Sequence, residues 1–180
     1  MKTAEDVLSF WFVEHGEEHW FGGGPEFDAT LSAQFGETHL AVSAGEAWIW
    51  RTTPEGRLAE ILVLDQFSRQ IWRGQARAFA QDPMALALAQ EAVAGGHDQA
   101  LDVQKRMFLY MPYMHSESLL VHEAALPLFE SLEKEDVMKF EHAHVDVLRR
   151  FGRYPRRNAA LGRNSTSQEM AYIESDEGKW

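Results

Sequence analysis

The chain has 180 residues, 45% hydrophobic and 12% aromatic, with a formal net charge of −11 and no cysteine. The length suits one well-buried domain, the composition is that of a soluble globular chain, and the missing thiols exclude disulfide scaffolds, zinc–thiolate centres and cysteine nucleophiles and fit a reducing, cytoplasmic setting. The acidic balance argues against broad nucleic-acid binding, which depends on neutralising phosphates; no apolar run reaches the roughly 18 residues of a membrane span, and acids at Glu5 and Asp6 do not fit a secretory leader.

Helical signals recur along the whole sequence, and strand signals almost never do. Thr3 followed by Glu5 and Asp6 reads as a cap with acids in the first turn of a helix carrying Val7, Leu8, Phe10, Trp11 and Phe12. Residues 15–24 read as a loop with Trp20 and Phe21 buried or half-buried, closed by the flexible triplet Gly22, Gly23 and Gly24. Pro25 opens a helix with Phe27, Leu31 and Phe35 on one face and Asp28 and His39 as exposed polar positions.

Thr53-Pro54-Glu55 is a strong helix opening. Asp65 falls inside the apolar stripe of that helix. A carboxylate there is costly unless paired. Arg69 lies one turn on, and Arg73 another turn beyond it. Asp65 is therefore either half of a structural ion pair or a functional carboxylate lining a pocket. Gly74 stops this helix, Asp82-Pro83 opens the next, and alanines 80, 85, 87, 89, 92 and 94 let a neighbour approach closely.

A helix from Asp102 carries Met107, Phe108, Tyr110 and Met111, and Pro112 is expected to break or kink it. Ser116 reads as the cap of the next helix with Glu117 at its positive end, and Pro127 as an interruption. The last long helix spans about 136–151, with Val137, Phe140, His144, Leu148 and Phe151 on one face, and Gly152 ends it. Thr166 and Glu169 form a capping box for a short terminal helix, and the acidic tail after it is expected to fray unless Trp180 docks.

Residues 142–163 reverse the sign of the molecule, with arginines at 149, 150, 153, 156, 157 and 163 against one acid, Asp146. Guanidiniums stay ionised and repel one another unless something negative sits among them. A phosphate or carboxylate of a small ligand could supply that charge, and so could the protein's own acids. His142 and His144 point to different sides of a helix, and His115 and His122 stand about 10 Å apart along one, so no metal site is expected. No cofactor is called for. The candidates for proton transfer are His115, Glu117 and Asp65.

The stretches LDQFSRQIWRG (64–74), ARAFAQDPMALALAQEA (76–92), FLYMPYMHSE (108–117) and HAHVDVLRRFGRYPRRNAALGR (142–163) resemble the bacterial family catalogued as domain of unknown function number 924. The resemblance implies an all-helical, tetratricopeptide-repeat-like fold, although no repeat of about 34 residues is visible. It implies no activity. Its motif positions fall on Asp65, Gln66, Arg69, His115, Ser116, Glu117, Arg150, Phe151, Arg153, Asn158 and Arg163, and the chain departs from the usual pattern at Ser68, Gln70 and residues 121–123.

The expectation is a single all-α domain of antiparallel helix pairs in a solenoid-like array. Asp65, Arg69, His115 and Glu117 would converge with Arg150, Arg153, Asn158 and Arg163 on a polar site for a small anionic ligand. The alternative is a protein- or peptide-interaction module in which the arginines are purely structural.

Overall fold

The computed structural model describes residues 1–21 and 23–179; the expectations for Gly22 and Trp180 lie outside the described residues. Local rules set the first helix. Thr3 Oγ1 accepts from the Asp6 amide (3.1 Å) and Asp6 Oδ2 accepts from the Thr3 amide (2.8 Å), so α1 (Ala4–Ser9) starts on a reciprocal cap. It runs on through a π turn, Phe10–Glu14, which buries Phe10 and Trp11. A short helix, α2 (Glu17–Trp20), occupies the expected loop; Trp20 is buried, but Phe21 is 64% exposed. In α3 (Gly24–Ser43), Phe27, Leu31, Phe35 and Val42 face inward.

The helix that positions the site begins at α4 (Pro54–Leu62), where Thr53 Oγ1 accepts from the Gly56 amide at 3.1 Å. Gly56 lies so close to the Trp50 carbonyl that a Cβ would stand about 2.0 Å from its oxygen, so no larger residue fits without moving the backbone. A π turn, Val63–Phe67, joins α4 to α5 (Ser68–Ile71). α4 packs against α1, α6 (Asp82–Ala94) and α7 (Val103–Met114), and is buried all round from Leu58 to Ser68. Ala85, Ala89 and Ala92 of α6 are the buried residues at that close approach.

α8 (Leu119–Glu130) packs on α7, and α9 (Glu135–Phe151) packs on α8. Pro112 and Pro127 both sit inside continuous helices, so neither breaks its helix. Residues 107–114 are all buried, and that packing outweighs the one backbone bond a proline removes. The N-cap position of α8 is Ser118, not the expected Ser116, and its side chain makes no capping bond; Ser116 Oγ accepts from the Ser118 amide at 3.2 Å. Gly152 closes α9 at φ 72°. α10 (Ser167–Glu174) carries the expected Thr166–Glu169 capping box.

Every described element is helix or turn, so the fold is all-α. Its main core gathers Phe10, Trp11, Phe35, Phe67 and Phe108 with the aliphatic faces of α3, α4, α6, α7 and α8. A second, smaller cluster of Val147, Leu148, Tyr154 and Tyr172 lies under α9 and α10. Phe140 was expected on the inner face of α9 and is instead 50% exposed. No helix among the described residues is long and apolar enough to cross a membrane.

Candidate functional site

Asp65 sits in the π turn with its carboxylate fully buried. Oδ1 accepts from His115 Nδ1 at 2.7 Å and lies 3.0 Å from Arg69 Nη1, while Oδ2 accepts from Gln66 Nε2 at 2.6 Å. Burial pushes this carboxyl up, but Arg69 and His115 more than reverse that and hold it below the usual carboxylate range. The pairing of Asp65 with Arg69 expected from the sequence is present. Arg73 does not join it; it forks onto Asp28 at 2.6 and 2.9 Å.

Arg69 does more than answer Asp65. Its Nη1 and Nη2 also grip Asp82 at 2.8 and 3.0 Å. Asp82 opens α6, yet its carboxylate does not cap the helix; it is shared with Arg157, whose Nη1 stands 3.3 Å away. Two guanidiniums therefore share one carboxylate. Arg157 Nη2 takes the His115 carbonyl at 2.9 Å, and its fork lies over the rings of Phe79 and Tyr154. Burial and the neighbouring Arg69 bring the Arg157 guanidinium down to about 10.

His115 ends α7. Its Nδ1 is committed to Asp65, and the His115 side chain is 17% exposed. Burial first, then Arg69, lowers its proton affinity against the pull of Asp65. The imidazole is thereby neutral near pH 7, with Nδ1–H donating inward and the Nε2 lone pair outward. A carboxylate that orients a histidine whose other nitrogen is available is the usual geometry of a proton-transferring base.

Two residues on, Glu117 binds Arg163 through two contacts, 2.7 and 2.9 Å, and also accepts from the Tyr154 amide at 2.8 Å. Arg163 Nε donates to Asn158 Oδ1 at 2.9 Å, and Asn158 Nδ2 donates to Ser165 at 3.0 Å. Glu117 is thus joined to the C-terminal connection and not to the N-terminus of α8. Its carboxyl lies low, because Arg163 and the Tyr154 amide outweigh burial.

The structure divides the expected site. Asp65, Arg69 and His115 meet directly, and Glu117, Asn158 and Arg163 meet beside them through residues 115–117. Arg153 turns to α10, where Glu169 takes it at 2.6 and 2.9 Å, and Arg150 meets Glu177 near the surface at 3.2 Å. Arg156 binds the carbonyls of Tyr172, Ile173, Ser175 and Glu177, so the tail expected to fray is tied down. Arg149 pairs with Asp146 in solvent.

Each of the six guanidiniums has an internal partner. The local excess counted along 142–163 is answered by acids distant in sequence: Asp82, Glu117, Glu169 and Glu177. Asp82, Phe79 and Tyr154 were not recognised from the sequence as site residues. The Asp-Pro pair at 82–83 reads as a helix start, which masks the second use of the carboxylate. His39, expected at the surface, is buried; it lies 2.8 Å from Ser68 Oγ, and burial takes it down to about 4. His144 is buried, with Nδ1 donating to the Phe140 carbonyl at 2.7 Å.

No group of three or more potential ligands could hold a metal ion among the described residues. A cleft of about 360 Å³ runs between α8 and α9, lined by Leu119, His122, Leu126, His142, Val145 and Arg149 among others. Neither Asp65 nor His115 lines it.

The family model described as a bacterial protein of unknown function (DUF924) matches residues 7–177, so the chain belongs to that family. A solved structure of a protein of unknown function from Agrobacterium tumefaciens is 36% identical, with a TM-score of 0.89 over 95% of this chain and 96% of that one. No curated protein matches.

Proposed function

For a member of this family, we propose that the surface edge formed by Arg69, His115 and Arg157 binds a small ligand bearing a phosphate or carboxylate. One observation carries this reading: two adjacent guanidiniums share the Asp82 carboxylate beside a histidine whose outer nitrogen is uncommitted. Arg157 is lowered by its burial and by the neighbouring Arg69, both of which an anion beside it would offset. Guanidinium forks suit such oxyanions.

Within this reading Asp65 orients His115, His115 Nε2 exchanges a proton with the ligand, and Arg69 and Arg157 hold the charge. Glu117, Asn158 and Arg163 brace the segment behind. Arg150 and Arg153, first expected as ligand contacts, act here as fasteners for the tail and α10. A cytoplasmic setting goes with the absence of cysteine.

Thermal unfolding in the presence of inorganic phosphate or malonate tests it. Binding at about 100 times Kd adds about 2.7 kcal/mol of stability, or several degrees for a chain of this size. The rise should vanish in Arg157→Gln. No rise with either anion at tens of millimolar would overturn the proposal.

A second reading is an interaction module using the α8–α9 cleft. Leu119 and Leu126 in that cleft, with Leu120 74% and Phe140 50% exposed on the same helix pair, favour it.

A further inference from the structure

The cleft between α8 and α9 does not stop at its first hollow. A second, shallower one of about 480 Å³ continues it past His142, which borders both, to Glu130, Glu133 and Glu135. A short turn joins the two helices, so they run antiparallel, with Leu119 and Arg149 lining one end of the groove and Glu130 and Glu135 the other. The groove follows the whole of α8, which at 12 residues is about 18 Å long.

Both walls repeat with the same spacing. The lining includes positions 119, 123, 126 and 130 of α8 and positions 138, 142, 145 and 149 of α9, so each wall advances by four, three and four residues. That is the spacing of a seam onto which another helix packs. Leu119, Leu126, Met138 and Val145 are its apolar positions. A helix also suits the backbone here. The amides and carbonyls of two helical walls bond within each helix, so an extended peptide finds no ladder to join, whereas a helix satisfies its own backbone.

Charge narrows the choice of occupant. Five acids line the groove, Glu123, Glu130, Glu133, Glu135 and Asp146, against three cations, Lys134, Lys139 and Arg149. Two of those cations are already engaged on α9, Arg149 with Asp146 at 3.4 Å and Lys139 with Asp136 at 3.2 Å. Glu123, Glu130, Glu133 and Glu135 are exposed, and the chain as a whole carries −11. Such a surface repels anionic lipid headgroups and nucleic acid, and a second copy of the chain would bring the same acids against it.

We propose that this groove takes a cationic amphipathic helix of another protein, about three turns long, with apolar side chains at the four–three spacing on the seam and lysine or arginine flanks meeting Glu123 and Glu130. The proposal rests on the interaction-module reading and names the partner chemistry that it leaves open. The apolar face supplies the contact area, and the flanking charges set orientation and association rate.

The test uses the full chain, labelled with nitrogen-15, and a synthetic leucine–lysine peptide of about 15 residues with its leucines at the four–three spacing. Two control peptides accompany it: the same residues in scrambled order, and the same leucine pattern with glutamate in place of lysine. The patterned lysine peptide should shift amides of α8 and α9 with a Kd between about 1 and 100 µM. Affinity should fall about tenfold in the double variant Glu123→Lys, Glu130→Lys, whose exposed positions leave the fold intact. An unchanged affinity in that variant overturns the proposal. If either control shifts the same amides equally well, the groove is an interaction site for other partners; the proposal falls and the reading beneath it stands. If no peptide shifts α8 or α9 at about 1 mM, a ceiling on affinity near 4 kcal/mol, both fall. Self-association of the chain through α8 and α9, seen by sedimentation and competing with the peptide, overturns the proposal in favour of a second copy.

Discussion

The aromatic core under α1–α8 and the segment from α9 to the tail are held by different physics. In the first, Phe10, Trp11, Phe35, Phe67 and Phe108 are at most 1% exposed, and Phe67 stands 5.2–6.2 Å from three other rings. In the second, the apolar cluster is only four buried residues, and the arginines supply the rest. Arg153 grips Glu169, Arg156 caps the end of α10, and Arg163 joins Glu117. Apolar burial is non-directional and scales with area. Forked ion pairs contribute less net energy but fix register and orientation. The candidate site sits where these two regimes meet.

That contrast makes graded predictions. The largest effect belongs to the core: Phe67→Ala should cost about 3–5 kcal/mol in denaturant unfolding, the range for a fully buried aromatic. Next comes Arg163→Ala, which leaves Glu117 with only the Tyr154 amide. Fully buried pairs broken on one side cost about 3–5 kcal/mol, and the partial exposure here, 22% and 26%, brings the expectation to about 2 kcal/mol. If Arg163→Ala cost as much as Phe67→Ala, the distinction between the two regions would fail.

The same contrast explains what the sequence made legible. Helix starts at Thr3, Thr53 and Thr166 depend on residues three or four apart, so they can be read locally. The Asp65–Arg69 pair is one helical turn and was equally visible. Glu117, Asp82 and Glu169 find their arginines 46, 75 and 16 residues away, and spacing along a chain cannot report such meetings. The inference of unanswered positive charge was drawn from a local count, and the fold balances that charge globally. Pro112 and Pro127 misled for a related reason: local propensity argued for breaks, and tertiary packing overrode it.

Acid should separate the regions by order of loss. Arg153, with the Thr166 amide, holds the Glu169 carboxyl at about 2, below its ordinary 4.5. A lowered folded-state value means stability that is present above about 4.5 and lost as pH falls toward 2. Hydrogen exchange followed through that window should show the amides of α10 losing protection before those of α4. Simultaneous loss would mean that the two regions unfold as one cooperative unit.

The smallest effect tests whether every arginine in the C-terminal stretch matters. Arg149 and Asp146 are 69% and 74% exposed and meet at 3.4 Å, three residues apart on α9. Water screens such a pair, and holding two long side chains together costs entropy. Arg149→Ala should therefore change stability by no more than about 0.5 kcal/mol. It should also leave any phosphate-dependent rise in melting temperature intact, because Arg149 lies outside the Arg69–His115–Arg157 edge. A loss of that response in Arg149→Ala with stability unchanged would move the anion site from that edge to the α8–α9 cleft, which Arg149 lines.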